Sequence, residues 1–154
     1  MNETYTHIGI VVPDLEASMA RFQKILGLTF IGPIERESKM TDGDGHDISM
    51  PFRLAYGTDG PPYYELIELQ PEGGYYRTEG FHHVGWWSDD LAADTAKLAA
   101  DGVVPELTLS RVESGGTTAI YFAPGALRDL RVELVDSSLR DGFFTMLADP
   151  QGIR

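Results

Sequence analysis

The stretch HIGIVVPDL at residues 7–15 returns as HVGWWSDDL at residues 83–91. The histidine, the glycine two places on and the closing Asp-Leu coincide at a spacing of 76. Each stretch opens as a short apolar run suited to a strand and closes on an aspartate placed to cap a helix. Two such matches in one chain indicate two copies of one module. The far ends also match: Glu65-Leu66-Ile67-Glu68 aligns with Glu133-Leu134-Val135-Asp136 at a spacing of 68. The two spacings differ by eight, so the first copy carries an insertion. The Gly- and Asp-rich KMTDGDGHD at 39–47 is its natural place.

Both copies have the same order of elements. In the first, residues 6–12 read as a strand and Asp14 as an N-cap. Leu15, Met19, Phe22 and Leu26 form one apolar helical face, and Gly27 ends the helix. Strands are expected at 30–37, 51–56 and 63–69, separated by the turn-rich DGDG and GTDGPP. In the second copy, 81–87 is the strand and Asp90 the cap. Leu91, Thr95, Leu98 and Ala99 mark the helix, which Gly102 stops. Strands near 106–112, 117–123 and 128–135 complete it. The pattern is β-α-β-β-β, twice.

Composition narrows the function. A chain of 154 residues suits one domain built from two half-domains, and 23 % charged residues is ordinary for a globular protein. No apolar run approaches the ~20 residues that span a bilayer, and the N-terminus has no secretory pattern. The absence of cysteine rules out disulfides, thiolate metal sites and cysteine nucleophiles. The expectation is a cytoplasmic protein. With a net charge of −12 and scattered Lys and Arg, neither nucleic acid nor an anionic membrane is an expected partner. A small molecule is.

The element order and the stretches HIGIVVPDLEASMARFQKILGL and FHHVGWWSDDLAAD resemble the vicinal-oxygen-chelate superfamily, over about residues 5–136. That superfamily includes glyoxalase I, methylmalonyl-CoA epimerase, extradiol dioxygenases and the bleomycin- and fosfomycin-resistance proteins. The likeness is greatest to the glyoxalase- and epimerase-like branch. It implies an α+β fold in which modules 5–70 and 80–136 pair curved sheets around a shared metal-containing cleft, with a tail at 137–154, all within one domain spanning 1–154.

The resemblance also implies a ligand set: His7, Glu65, His83 and Glu133. Two imidazoles and two carboxylates suit one divalent ion such as Zn, Ni, Co, Mn or Fe, with positions left for substrate. The repeat selects the register. His83 superposes on His7, whereas strand alternation turns His82 to the other face; Glu65, not Glu68, superposes on Glu133. Each residue also has a plainer reading: a surface histidine for His7, an outward strand charge for Glu133, core packing for the aromatics. A carboxylate such as Glu65 on an otherwise apolar face still needs a partner. His46, in the insertion, is expected to be exposed.

The function implied by the resemblance is that of a metal-dependent enzyme of enolisation and proton transfer: an isomerase, epimerase or lyase. Glu133 is the candidate base and Glu65 its partner for the other face. Trp87, Tyr63 and Tyr121 are candidates for contact with a fairly bulky apolar or acyl substrate, and Arg53 and Arg131 for an anionic group. The alternatives are an Fe(II) ring-cleaving dioxygenase of the same fold and a non-enzymatic metabolite- or drug-binding protein of the resistance type. In the tail, Phe143, Phe144, Met146 and Leu147 are expected to pack on their own domain; closing the cleft or meeting a second copy in a homodimer are their other uses.

Overall fold

The computed structural model describes residues 5–149, so positions 150–154 of the tail lie outside the described residues. The first module comprises β1 (Tyr5–Val12), α1 (Leu15–Leu26), β2 (Phe30–Arg36), β3 (Lys39–Asp42), β4 (Phe52–Gly57) and β5 (Tyr63–Glu68). The second comprises β6 (Gly80–Ser88), α2 (Leu91–Ala100), β7 (Pro105–Ser110), β8 (Thr117–Phe122) and β9 (Val132–Asp136), and α3 (Arg140–Ala148) lies in the tail. The β-α-β-β-β order holds in both copies, with β3 and α3 as additions. Among the described residues, no helix is long and apolar enough to cross a membrane.

The strands form one curled sheet in the order β2-β4-β5-β1-β6-β9-β8-β7-β3. β1 and β6 pair antiparallel at its centre and join the modules edge to edge. Within each module the first strand pairs parallel with the last, β1 with β5 and β6 with β9. The four central strands are therefore those whose sequences carry the repeat.

Both helices start as the caps dictate. Asp14 accepts a hydrogen bond from the Ala17 amide at 2.8 Å, and Asp90 accepts one from Ala93 at 2.9 Å. Gly27 closes α1 at φ 73°, a left-handed conformation that favours glycine. The helices cover the outer face of the sheet. Leu15, Met19 and Phe22 of α1 pack on Val12, Ala55 and Leu66. Leu91 and Leu98 of α2 pack with Trp86 on Phe122, Val132 and Leu134. Strand alternation then turns Glu65 and Ile67, and Glu133 and Val135, to the inner face.

The inner face is also closed by the insertion. Residues 39–42, expected as part of a loop, form β3, which leaves the first module and pairs with β7 at the far edge, Lys39 opposite Ser110 and Met40 opposite Leu109. Four residues in an Asp- and Gly-rich context carry no local strand signal; their pairing is set by the distant edge they cover. The chain thus straps one module's edge to the other's. Met40 is fully buried against the inner core, whereas Asp44 and His46 beyond it are exposed, the latter as expected. Met40→Ala should therefore cost about 2–5 kcal/mol in a urea titration, while Asp44→Ala should change stability by less than ~0.5 kcal/mol. Equal effects would show that the strap is not part of the core.

Candidate metal centre

The four residues of the proposed ligand set come from four adjacent strands in the order Glu65 on β5, His7 on β1, His83 on β6 and Glu133 on β9. All belong to one chain, so the site needs no second copy to be assembled. All four are buried, His83 completely and the others at 5 % exposure. The imidazole Nε2 atoms of His7 and His83 lie 2.8 Å apart. Glu65 Oε2 is 3.2 Å from His7 Nε2 and 3.4 Å from His83 Nε2. Glu133 Oε2 is 3.0 and 3.3 Å from the same two atoms. Ligands held about 2.0–2.2 Å from a divalent ion stand about 3–3.5 Å from their neighbours; the four carboxylate–imidazole separations fall in that range and suit a shared cation, and only the Nε2 pair is slightly closer. His7, Glu65 and His83 form a group that could hold one. Glu133 Oε2 joins through both imidazoles, yet it is buried without a hydrogen bond of acceptable geometry. A buried carboxylate oxygen aimed at two imidazole nitrogens, unsatisfied by either, is an acceptor that fits a cation better than a proton donor.

Two glycines make the cage possible. Gly9 stands beside Glu65 on one side and His83 on the other. A Cβ on Gly9 would fall 2.6 Å from His83 Nε2, inside the ring's own space. The repeat-equivalent Gly85 stands beside Glu133, and a Cβ there would fall 2.7 Å from His7 Cε1. Each module's glycine is the slot for the other module's histidine ring. The H-x-G spacing shared by both copies is therefore a packing requirement of one site.

The residues before the histidines orient them. His7 Nδ1 is hydrogen-bonded to Thr6 Oγ1, and His83 Nδ1 lies 2.9 Å from His82 Nδ1. Thr6 and His82 are themselves repeat equivalents, a signal legible at the same spacing of 76. With Nδ1 engaged, both rings present Nε2 to the centre. His82 does not simply turn away as alternation predicts. The β1–β6 register shifts between Gly9 opposite His83 and Ile10 opposite Phe81, so His82 is the extra residue of a bulge, which re-aims its ring. Its ring packs among Tyr75, Tyr76 and Tyr121.

The electrostatics reflect burial. Burial opposes charge on His7, but the Glu65 carboxylate, aided by Glu133, outweighs it and pushes the imidazole up to about 10. Burial likewise opposes charge on Glu133, and the two imidazoles overcome it, holding the carboxyl down to about 2. Glu65 is held well below its ordinary value against the same burial. His82 goes the other way: burial first, then His83 and Arg131, push it down to about 3 and keep it neutral. The bare nitrogen of a neutral His82 is what His83 Nδ1–H requires as acceptor.

The centre lines a cleft of about 800 Å³ whose walls include Phe52, Leu54, Ala119 and Val135. Trp87 and Tyr121 line it. Tyr63 does not; it packs against Phe143 and Phe144 of α3. Neither Arg53 nor Arg131 faces the cleft. Arg53 alternates with the cleft-lining Phe52, Leu54 and Tyr56 and so stands on the outer face, with Nη1 2.9 Å from Glu68 Oε2 and Nη2 bonded to Glu16. Arg131 pairs with Glu106 at 2.9 Å and donates to the His82 carbonyl at 3.3 Å, bracing the bulge. The cations at the cleft are instead Arg36 and Arg111, both exposed at its mouth. Tyr56, which faces Glu65 in the β4–β5 register, and Phe143 and Met146 of the tail complete the lining. Closing the cleft was one of the uses open to Phe143 and Met146, whereas for Arg36, Arg111 and Tyr56 the sequence held no signal, since each depends on which strand lies alongside.

A family model described as the Glyoxalase/Bleomycin resistance protein/Dioxygenase superfamily matches residues 6–122. A search of curated proteins by sequence found no match. Among solved structures, the chain is similar to methylmalonyl-CoA epimerase from Mycobacterium tuberculosis, at 20 % identity over 86 % of each chain and a TM-score of 0.57. It is similar to a variant of the Streptomyces coelicolor methylmalonyl-CoA epimerase in complex with 2-nitronate-propionyl-CoA, at 22 % identity over 86 % of this chain and 92 % of that one, with a TM-score of 0.59. A hypothetical protein from Bacillus halodurans C-125 matches at 19 % identity over 88 % and 95 %, with a TM-score of 0.63. At these identities the likeness is one of fold.

The geometry makes two outcomes testable. Gly9→Ala or Gly85→Ala should weaken zinc or cobalt binding by about 10–100-fold in a competition titration with a chromogenic chelator, with far-UV circular dichroism unchanged. Full affinity in both variants would remove the slot argument. The second outcome concerns pH. In chelator-treated protein, the His7 contribution is full below 6.5 and is lost as pH rises towards about 10. Neutral His82 costs stability as pH falls from 6.5 towards about 3, and the Glu133 contribution is lost from 4.5 down to about 2. The thermal midpoint should peak near pH 6.5, with His7→Asn flattening the alkaline limb and His82→Asn the acid limb. A midpoint that rises steadily from pH 6.5 to 9 would contradict this assignment.

Proposed function

The chain belongs to the Glyoxalase/Bleomycin resistance protein/Dioxygenase superfamily, and we propose that within it the chain is a divalent-metal-dependent enzyme that moves a proton at a carbon next to chelated substrate oxygens, as an isomerase, epimerase or lyase. The observation that carries this reading is the meeting of two Nε2 and two Oε2 atoms, 2.8–3.4 Å apart along five contacts, at the wall of a cleft. His7, Glu65, His83 and Glu133 would hold the ion. When bound, it acts as a Lewis acid that offsets charge developing on substrate oxygen.

The chain's own residues supply the rest. Glu65 and Glu133 sit on the two strands that flank the histidine strands, so they reach the centre from opposite sides. Glu133 takes the proton from carbon, and Glu65 serves the opposite face of the same carbon. Thr6 and His82 keep the imidazoles from turning. Trp87, Tyr56, Tyr121 and Phe143 exclude water around the reacting carbon and give an acyl or other apolar substituent its wall. Arg36 and Arg111, at the mouth, replace Arg53 and Arg131 as the groups for an anionic part of the substrate. The epimerase fold supports an acyl substrate by analogy of fold alone.

Protein purified without chelator should carry about one divalent ion per chain by elemental analysis, and should catalyse solvent deuterium exchange into 2-hydroxyacyl, 2-oxo or acyl-thioester compounds. Chelation should abolish the exchange. Glu133→Gln should lower it by about 10²–10⁴-fold while the fold is retained. An ion-free preparation, or exchange indifferent to chelation, would overturn the metal-dependent reading; full exchange in Glu133→Gln would overturn the choice of base.

A further inference from the structure

The tail beyond the repeat presents one helical face to the cleft. Leu139, Gly142, Phe143 and Met146, spaced i, i+3, i+4, i+7, all line it, while Leu147 turns into the core. Phe143 is the centre of this face. Its ring meets one aromatic from each of three strands edge-on: Tyr56 on β4 at 5.2 Å, Tyr63 on β5 at 6.0 Å and Trp87 on β6 at 5.8 Å between centroids. Tyr56 in turn stands 6.2 Å from the His7 ring. Phe143 therefore closes the cleft one aromatic layer from the metal centre. Gly142 beside it is the opposite case. It lines the same cleft, and a Cβ there would meet nothing within 4 Å. One position of the face fills space, and its neighbour, exposed at the edge of the cleft, leaves room for a side chain.

Resting on the metal-chelating function proposed above, we propose that α3 is the specificity element of this enzyme. Phe143 and Gly142 together set the length of the apolar chain that a substrate can carry next to its chelating oxygens. The substrate class is then a vicinal-oxygen compound with a short alkyl or acyl substituent, the oxygens at the His/Glu centre and the substituent ending against Phe143. Neither repeat codes for this wall, because α3 lies beyond both; the cage is shared property of two modules and the size limit is a separate addition.

The experiment uses the full chain loaded with cobalt(II) and a series of straight-chain alkyl hydroxamic acids from acetyl to decanoyl, read by the visible d–d spectrum of the bound cobalt. A hydroxamate presents two adjacent oxygens whatever its chain, so only the substituent varies. Affinity of the unaltered protein should rise about fourfold per methylene that the wall buries and fall sharply beyond a cut-off length. Phe143→Ala should move the cut-off to longer chains by two or more carbons. Gly142→Leu should move it to shorter chains, and a leucine in place of a helical glycine should favour folding of the variant. The effect of both substitutions should grow with chain length and be smallest for acetohydroxamate, the shortest substituent of the series. A cut-off that stays in place in both variants overturns the proposal while leaving the metal reading intact. A protein that never develops a cobalt spectrum overturns the metal reading, and this inference with it.

Discussion

The site depends on a steric exchange across the central strand pair. Gly9 faces His83, and Gly85 makes room for His7, so each imidazole occupies the place where the other module's side chain would stand. A β-sheet ordinarily separates side chains on neighbouring strands by about 4.5–5.5 Å between Cβ atoms. Bringing two Nε2 atoms to 2.8 Å requires that one partner in each pair have no Cβ at all. Once that is granted, the parallel pairing of β1 with β5 and of β6 with β9 delivers a glutamate to each flank. The rest of the module, including the capped helix on the outer face, serves to hold those four strands in register.

Such a centre is costly without a positive charge at its middle. Isolated burial of each carboxylate would cost several kcal/mol, and this chain holds two of them beside each other. With the proton as the only positive charge, the structure answers by raising His7 and depressing both glutamates, while Glu133 Oε2 still finds no properly directed donor. A divalent cation held there would meet all four groups at once with formal neutrality. In an acidic protein of net charge −12, a local sink for positive charge sits easily, whereas an anionic substrate depends on the few cations placed at the cleft mouth.

Legibility in the sequence depended on whether a feature is repeated. The strand-helix order, both N-caps, and the pairing of His7 with His83 and of Glu65 with Glu133 are all supported by comparing one copy with the other. Several features without a counterpart in the other copy were misplaced or missed. β3 has no local strand signal because its partner lies near residue 110. Arg53 alternates with cleft-lining residues and so faces outward to Glu68 and Glu16, whereas Arg131 is claimed by Glu106, a competition that no single-strand pattern reveals. Strand alternation alone turned His82 away, and a bulge in the pairing brought it back. Thr6 is the instructive exception: it aligns with His82, so the repeat held the evidence for both orienting residues.

The division between repeated and unrepeated parts has a functional logic. Chemistry that approaches a carbon from two faces is served by a pseudo-symmetric cage, and duplicating one module supplies matched ligands with matched support. Substrate choice is not symmetric, because a substituent extends from the chelating oxygens in one direction only. The elements that break the symmetry are the ones that shape that direction: β3 straps the sheet edges together on the side of Arg36 and Arg111, and α3 lays Phe143 and Met146 over the aromatic side. Changes in these two elements can alter the ligand cavity without disturbing the Gly–His exchange at the centre, since neither contributes a residue to it. On the proposed reading, part of the selectivity would then be carried by stretches of the chain separate from those that carry the chemistry.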